Sequence, residues 1–206
     1  MIVVVDYGMG NLGSIMNMLK KVEAKALLSS DIAEIEKAEK LILPGVGSFD
    51  AGMKNLSTLG LTPILNKKVI EDKTPILGIC LGMQLLTKRS EEGNLPGLGW
   101  IDAETVRFKF DDVQGMKNKI PHMGWNTVEL VKASKLFNDM YPEPRFYFVH
   151  SYHVRCNREE DILAKTFYGY YFTSAIIRDN IAGVQFHPEK SHKFGMKLLG
   201  NFARFA

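Results

Sequence analysis

Cysteine is scarce in this chain: Cys80 and Cys156 are the only two in 206 residues. They stand far apart in unlike surroundings, which excludes a disulfide framework and fits a reducing, cytoplasmic setting. An excess of one charge is also missing. The net charge is +3 and the basic residues are scattered, unlike the dense Lys/Arg footprint of a nucleic-acid binder, so no nucleic-acid partner is expected. No apolar run approaches the ~18 residues a membrane-spanning helix needs, so no membrane partner is expected either. The opening "MIVVVDYG" lacks a basic stretch and meets Asp6, so it reads as a first strand and not a signal peptide. Repeats, low-complexity tracts and a clear linker are absent as well. What is present is 46% hydrophobic residues, enough for one core, and the simplest organisation is a single domain over 1–206.

Short β-branched runs alternate with helical spacing in the first half. Residues 2–6, 25–30, 40–45 and 75–79 read as strands. Residues 12–22 and 59–72 read as helices, and a short helix follows Asp31 as its N-cap. That alternation predicts an α/β fold with a mostly parallel central sheet flanked by helices. After about residue 95 the pattern is mostly strand-like, with few helices between, so part of the C-terminal half should be antiparallel. Residues 193–205 predict a closing amphipathic helix.

Three segments carry candidate chemistry. "GMGNLG" (8–13) is a literal G-x-G-x-x-G after a strand, with Asp31 some twenty residues on, which is the dinucleotide-binding pattern. Against it, Asp6 and Tyr7 put a carboxylate and a ring where a dianion would sit, and Asp31 falls at a helix cap. A tight strand-to-helix turn explains Gly8–Gly13 better. "GICLG" (78–82) has the form of a nucleophile elbow. A nucleophile on a sharp turn needs small neighbours, which Gly78 and Gly82 supply. The following helix points its N-terminus at Cys80, favouring thiolate, and the Leu81 amide can donate to an oxyanion. A buried, inert Cys80 is the competing reading, but it leaves both glycines unexplained.

In "GVQFHPEKSH" (183–192), His187 and Glu189 are two residues apart. In extended chain, which Pro188 favours for His187, such residues point the same way. Glu189 can then orient His187 as the base that Cys80 needs. His150 and His153 alternate along a strand-like run with no carboxylate nearby in sequence, and His122 precedes "MGWN" in a predicted loop. These three read as packing or hydrogen-bonding residues.

"PILGICLGMQLL" and "GVQFHPEKS" resemble the two signatures of class I (triad) glutamine amidotransferases. "DYGMGNL", "LILPGVGSF", "PHMGWN" and "YFVHSY" are similar to one branch, the glutaminase subunits of imidazole glycerol phosphate synthase, over essentially the whole chain. The resemblance implies a Cys80–His187–Glu189 triad that hydrolyses L-glutamine to glutamate and ammonia through a thioester. It implies an oxyanion strand at Gly45, Val46 and Gly47 beside the Leu81 amide. Glutamine contacts are implied at Gly47, Gln84, Glu92, Ser151 and Tyr152. It further implies a heterodimer with a (β/α)₈-barrel synthase of histidine biosynthesis, contacted around an ammonia passage by His122, Met123, Trp125, Tyr147 and Lys190. No metal and no cofactor are implied. Gly13, where a basic residue is frequent, the charged stretch 107–120 and "SHKFGMKLL" (191–199) depart from the branch. These departures keep open a paralogous role, supplying ammonia to aminate a surface-polysaccharide sugar. A dinucleotide-binding module using Gly8–Gly13 is the distant alternative.

Overall fold

The structure is a computed structural model and describes residues 1–110 and 119–204. Most of the charged stretch 107–120, and residue 205 of the closing helix, lie outside them. In the first half, strands β1 (Ile2–Val5), β2 (Ala26–Ser29), β3 (Lys40–Gly45) and β4 (Ile76–Cys80) alternate with helices. The helices are α1 (Leu12–Lys21), α2 (Ile32–Glu36), α3 (Phe49–Thr58) and α4 (Leu61–Asn66). α5 (Leu81–Leu85) follows β4 with no connecting residue. Asp31 caps α2 through Oδ1, which accepts from the amides of Ala33 and Glu34.

β1, β3 and β4 pair in parallel and are buried on both faces, so alternate residues feed two cores. Ile2, Val4, Ile42, Leu77 and Ile79 face α1 and the closing helix. Val3, Val5, Leu41 and Leu43 face Ile35, Phe49 and Leu56 on the other side.

The second half contains β5 (Ala103–Arg107), β6 (His122–Thr127), β7 (Glu129–Leu130) and β8 (Arg145–His150). It continues through β9 (Tyr152–Cys156), β10 (Ile162–Tyr168), β11 (Tyr170–Arg178), β12 (Ile181–Val184) and α6 (His192–Arg204). The main sheet runs β2-β1-β3-β4-β12-β11-β10-β7, with β9 joined to β11 and β5. β12 lies parallel to β4, and the strands beyond it are antiparallel. β6 and β8 form a separate antiparallel pair. This is the predicted α/β class, with the antiparallel part in the C-terminal half.

Two local expectations are corrected. Residues 59–72 are not one helix: α4 ends at Asn66 and a wider π turn, Lys67–Glu71, follows it. The "PHMGWN" segment is not a loop. Residues 122–127 form β6, because β8 supplies the ladder partners, His122 opposite His150 and Trp125 opposite Tyr147. Gly and Pro in the segment signal a turn locally, and a non-local strand overrides them.

Candidate active site

The parallel register decides what meets at the sheet's centre. β12 pairs with β4 as Gly183 opposite Gly78 and Val184 opposite Ile79. Cys80 and the segment 185–189 therefore leave the C-terminal ends of adjacent strands. β3 lies on the other side, with Gly45 opposite Cys80.

Cys80 ends β4 and adopts φ 54°, ψ −110°, a conformation L residues rarely take. The turn is sharp enough that a Cβ on Gly82 would sit 1.7 Å from the Leu43 carbonyl oxygen. One on Gly78 would sit 2.8 Å from the Gly82 backbone. The glycines are thus required by close backbone approach, and Cys80, buried at the edge of the core, also lines the cavity. At Cys156, burial, then the nearby Asp161 charge, pushes the thiol up to about 12.

His187 is buried, and its Nδ1 lies 2.8 Å from Glu189 Oε1, itself almost fully buried. Glu189 reaches it from a single 3₁₀ turn, Pro188–Lys190, and not from the extended chain expected; His187 alone is extended. Burial on its own would lower the His187 pKa. The neighbouring Cys80 and Glu189 outweigh that and push it up to about 10. His187 Nε2 is buried and has no hydrogen-bond partner among the described residues. The His187 amide donates to the Tyr147 carbonyl at 2.9 Å. Ser191 Oγ donates to the His187 carbonyl at 2.6 Å and accepts from the Tyr147 amide at 3.0 Å. The segment carrying His187 is therefore tied to β8.

A cavity of about 330 Å³ opens over Cys80. Its walls include His187, Val46, Gly47, Leu81, Gln84, Glu92, Ser151 and Tyr152. Of the residues expected to bind substrate, only Gly45 is set back, packed under Tyr7 and Leu81. Gly47 has φ +116°, open to glycine and costly for other residues. Glu92 Oε2 accepts from the Phe49 amide at 2.8 Å, which also caps α3. Sequence reasoning missed Pro121, Val149 and His150, which complete the wall. Nothing local marks them, because they arrive from the β6–β8 pair.

The Gly8–Gly13 turn braces this site. Gly10 abuts Pro44 and Gly45, and Met9 lies against Gly47. Tyr7 is buried, its hydroxyl donating to the Pro44 carbonyl at 2.5 Å. Asp31, the acidic residue of the dinucleotide-binding pattern, is spent on capping α2. Among the described residues, no three His, Cys, Asp or Glu side chains converge to hold a metal.

The five residues expected at a partner surface divide. Met123 and Trp125 are 62% and 47% exposed, with Tyr147 beside Trp125 and Lys190 Nζ 5.7 Å from the Tyr147 ring centroid. His122 is buried, at 3% exposure, and does not share that exposed face. Side chains alternate along β6, so a position neighbouring exposed Met123 points inward.

Comparison with known proteins identifies the family. The family model for glutamine amidotransferase class-I matches residues 3–205, and the chain belongs to that family. The fold is shared with PurLQS from Thermotoga maritima (TM-score 0.72, 15% identity, covering 99% of this chain and 97% of that one). More particular are relatives called imidazole glycerol phosphate synthase subunit HisH. The Methanococcus maripaludis HisH 2 is 59% identical over 100% of both chains, and the Pseudomonas aeruginosa HisH 2 is 53% identical over 98% of each.

Proposed function

We propose that this chain is the glutaminase subunit of an imidazole glycerol phosphate synthase, with Cys80, His187 and Glu189 as its catalytic triad. The observation that carries the chemistry is the strained Cys80 elbow opening on a cavity shared with a Glu189-oriented His187. Cys80 sulfur attacks the side-chain carbonyl carbon of glutamine. The resulting oxyanion takes hydrogen bonds from the Leu81 amide and from the Gly45–Val46–Gly47 backbone. His187 gives its proton to the departing nitrogen, and ammonia leaves a glutamyl thioester. Water then attacks the thioester carbon while His187 takes the water's proton. The C–S bond breaks, and glutamate and the thiolate are released. Gln84, Glu92 and the Ser151–Tyr152 corner hold the substrate, with Glu92 placed for its α-ammonium.

Ammonia passes to a partner (β/α)₈-barrel synthase, which forms imidazole glycerol phosphate and AICAR in histidine biosynthesis in the cytoplasm. Met123, Trp125, Tyr147 and Lys190 form the contact face, apolar at its centre with a cation at its rim. Among the described residues, no helix is long and apolar enough to cross a membrane.

Complementation tests the pathway. The chain should rescue a histidine auxotroph that lacks its own glutaminase, and it should co-purify with the barrel synthase. Trp125→Ala should weaken that capture about tenfold, as for an exposed aromatic anchor. Failure to rescue, with capture of a different synthase, would move the chain to the sugar-amination role.

A further inference from the structure

Gln185 follows β12, is wholly buried, and anchors its amide on the Ser174 carbonyl at 2.9 Å. Its side-chain Nε2 lies 3.7 Å from Cys80 Sγ, a hydrogen-bond distance for sulfur. Which end of the amide faces the sulfur follows from its neighbours. The Tyr152 carbonyl can only accept, so Gln84 Nε2, 3.1 Å away, must donate to it. That same Nε2 lies 3.1 Å from Gln185 Oε1. Turning the Gln185 amide over would set NH₂ against NH₂. The oxygen therefore faces Gln84 and the NH₂ faces Cys80.

The Tyr152 carbonyl is itself pinned. His150 Nδ1 donates to it at 2.8 Å, which leaves His150 Nε2 to accept from His122 Nδ1 at 2.9 Å. His122 Nε2 then accepts from Asn126 Nδ2 at 3.2 Å. Each donor in this network meets an acceptor, Gln84 Nε2 meets two, and the last acceptor is the sulfur.

We propose that Gln185 is a positioning residue that donates a hydrogen bond to the Cys80 sulfur and holds it as a thiolate, with Gln84 and the Tyr152 carbonyl fixing the donor's polarity. The inference rests on Cys80 being the nucleophile. A donor aimed at sulfur favours the charged acceptor over the neutral thiol, because charge-assisted bonds are the stronger. The titratable groups around Cys80 are His187, Tyr7 under the oxyanion strand, and Glu92 and His150 on the cavity wall. Gln185 differs from all of them in having no proton to lose, so its contribution persists across pH.

The test is the pH dependence of Cys80 alkylation by iodoacetamide in the full-length chain, with Cys80 resolved from Cys156 by peptide mass spectrometry. Gln185→Met keeps the volume and removes the donor. The midpoint of the alkylation profile should rise by about one pH unit. With the synthase partner bound, kcat should fall about tenfold while KM moves less than about threefold. Gln185→Glu keeps the shape but sets a carboxyl oxygen against the sulfur, and its alkylation midpoint should rise further. If Gln185→Met does not fold, Gln185→Glu decides alone. Alkylation profiles that superimpose on that of the unaltered chain overturn the proposal. Loss of the glutaminase reading would show separately, as glutamine turnover surviving Cys80→Ala.

Discussion

At Cys80 the backbone holds a left-handed conformation that costs about 1–3 kcal/mol, and the surrounding glycines make the turn sterically possible. Gly82→Ala should destabilise the protein by about 3 kcal/mol or more, since its Cβ would fall 1.7 Å from the Leu43 oxygen. Gly13→Ala is the matched control. Its Cβ meets nothing within 4 Å on helix α1, so it should stabilise by about 0.5–1 kcal/mol. Urea midpoints read both, and a Gly82→Ala protein as stable as the parent would contradict the elbow argument. This turn was legible in the sequence, because two glycines bracketing a cysteine between strand and helix have few other uses. Gln185 was not. A lone glutamine carries no spacing signature, and its meaning depends on Gln84 and Tyr152 arriving from other parts of the chain.

Three strands, β6, β8 and β9, carry the buried histidines 122, 150 and 153. Burial pushes His122 and His153 down to about 4 and holds His150 well below its ordinary value. They are neutral in the folded state, so below about pH 6.5 the unfolded chain binds protons the folded chain refuses. Their contribution to stability is therefore complete above about pH 6.5 and is lost as pH falls towards 4, by about 1.4 kcal/mol per unit for each histidine. His187 does not share this limb. Its pKa is raised, so it is protonated in both states in acid, and its contribution is complete below about pH 6.5 and is lost as pH rises from there to about 10. Urea midpoints measured between about pH 7 and pH 4.5 should fall steadily. His153→Gln should make that slope about a third shallower; an unchanged slope would show that the histidines do not set it.

Element type and order were largely legible, since the buried parallel strands are continuous β-branched runs. β6 was the exception. Its residues carry turn signals, and only pairing with β8 makes them a strand. The same non-local pairing brings Pro121, Val149 and His150 to the cavity, which is why sequence spacing could not find them.

Across the molecule, one strand ladder links the two halves of the proposed activity. Tyr147 on β8 borders exposed Trp125, and its amide and carbonyl are bonded to Ser191 and to the His187 amide. A partner docking on Met123 and Trp125 would thus press on the strand that holds His187. On the proposed function, glutamine is opened by Cys80 within such a complex. The decisive measurement is glutamate release from glutamine by the chain bound to the proposed barrel synthase, compared with the same complex carrying Cys80→Ala. Steady release is expected from the unaltered complex and none above background with Cys80→Ala; glutamate production by the Cys80→Ala complex at the parent's rate would contradict the claim.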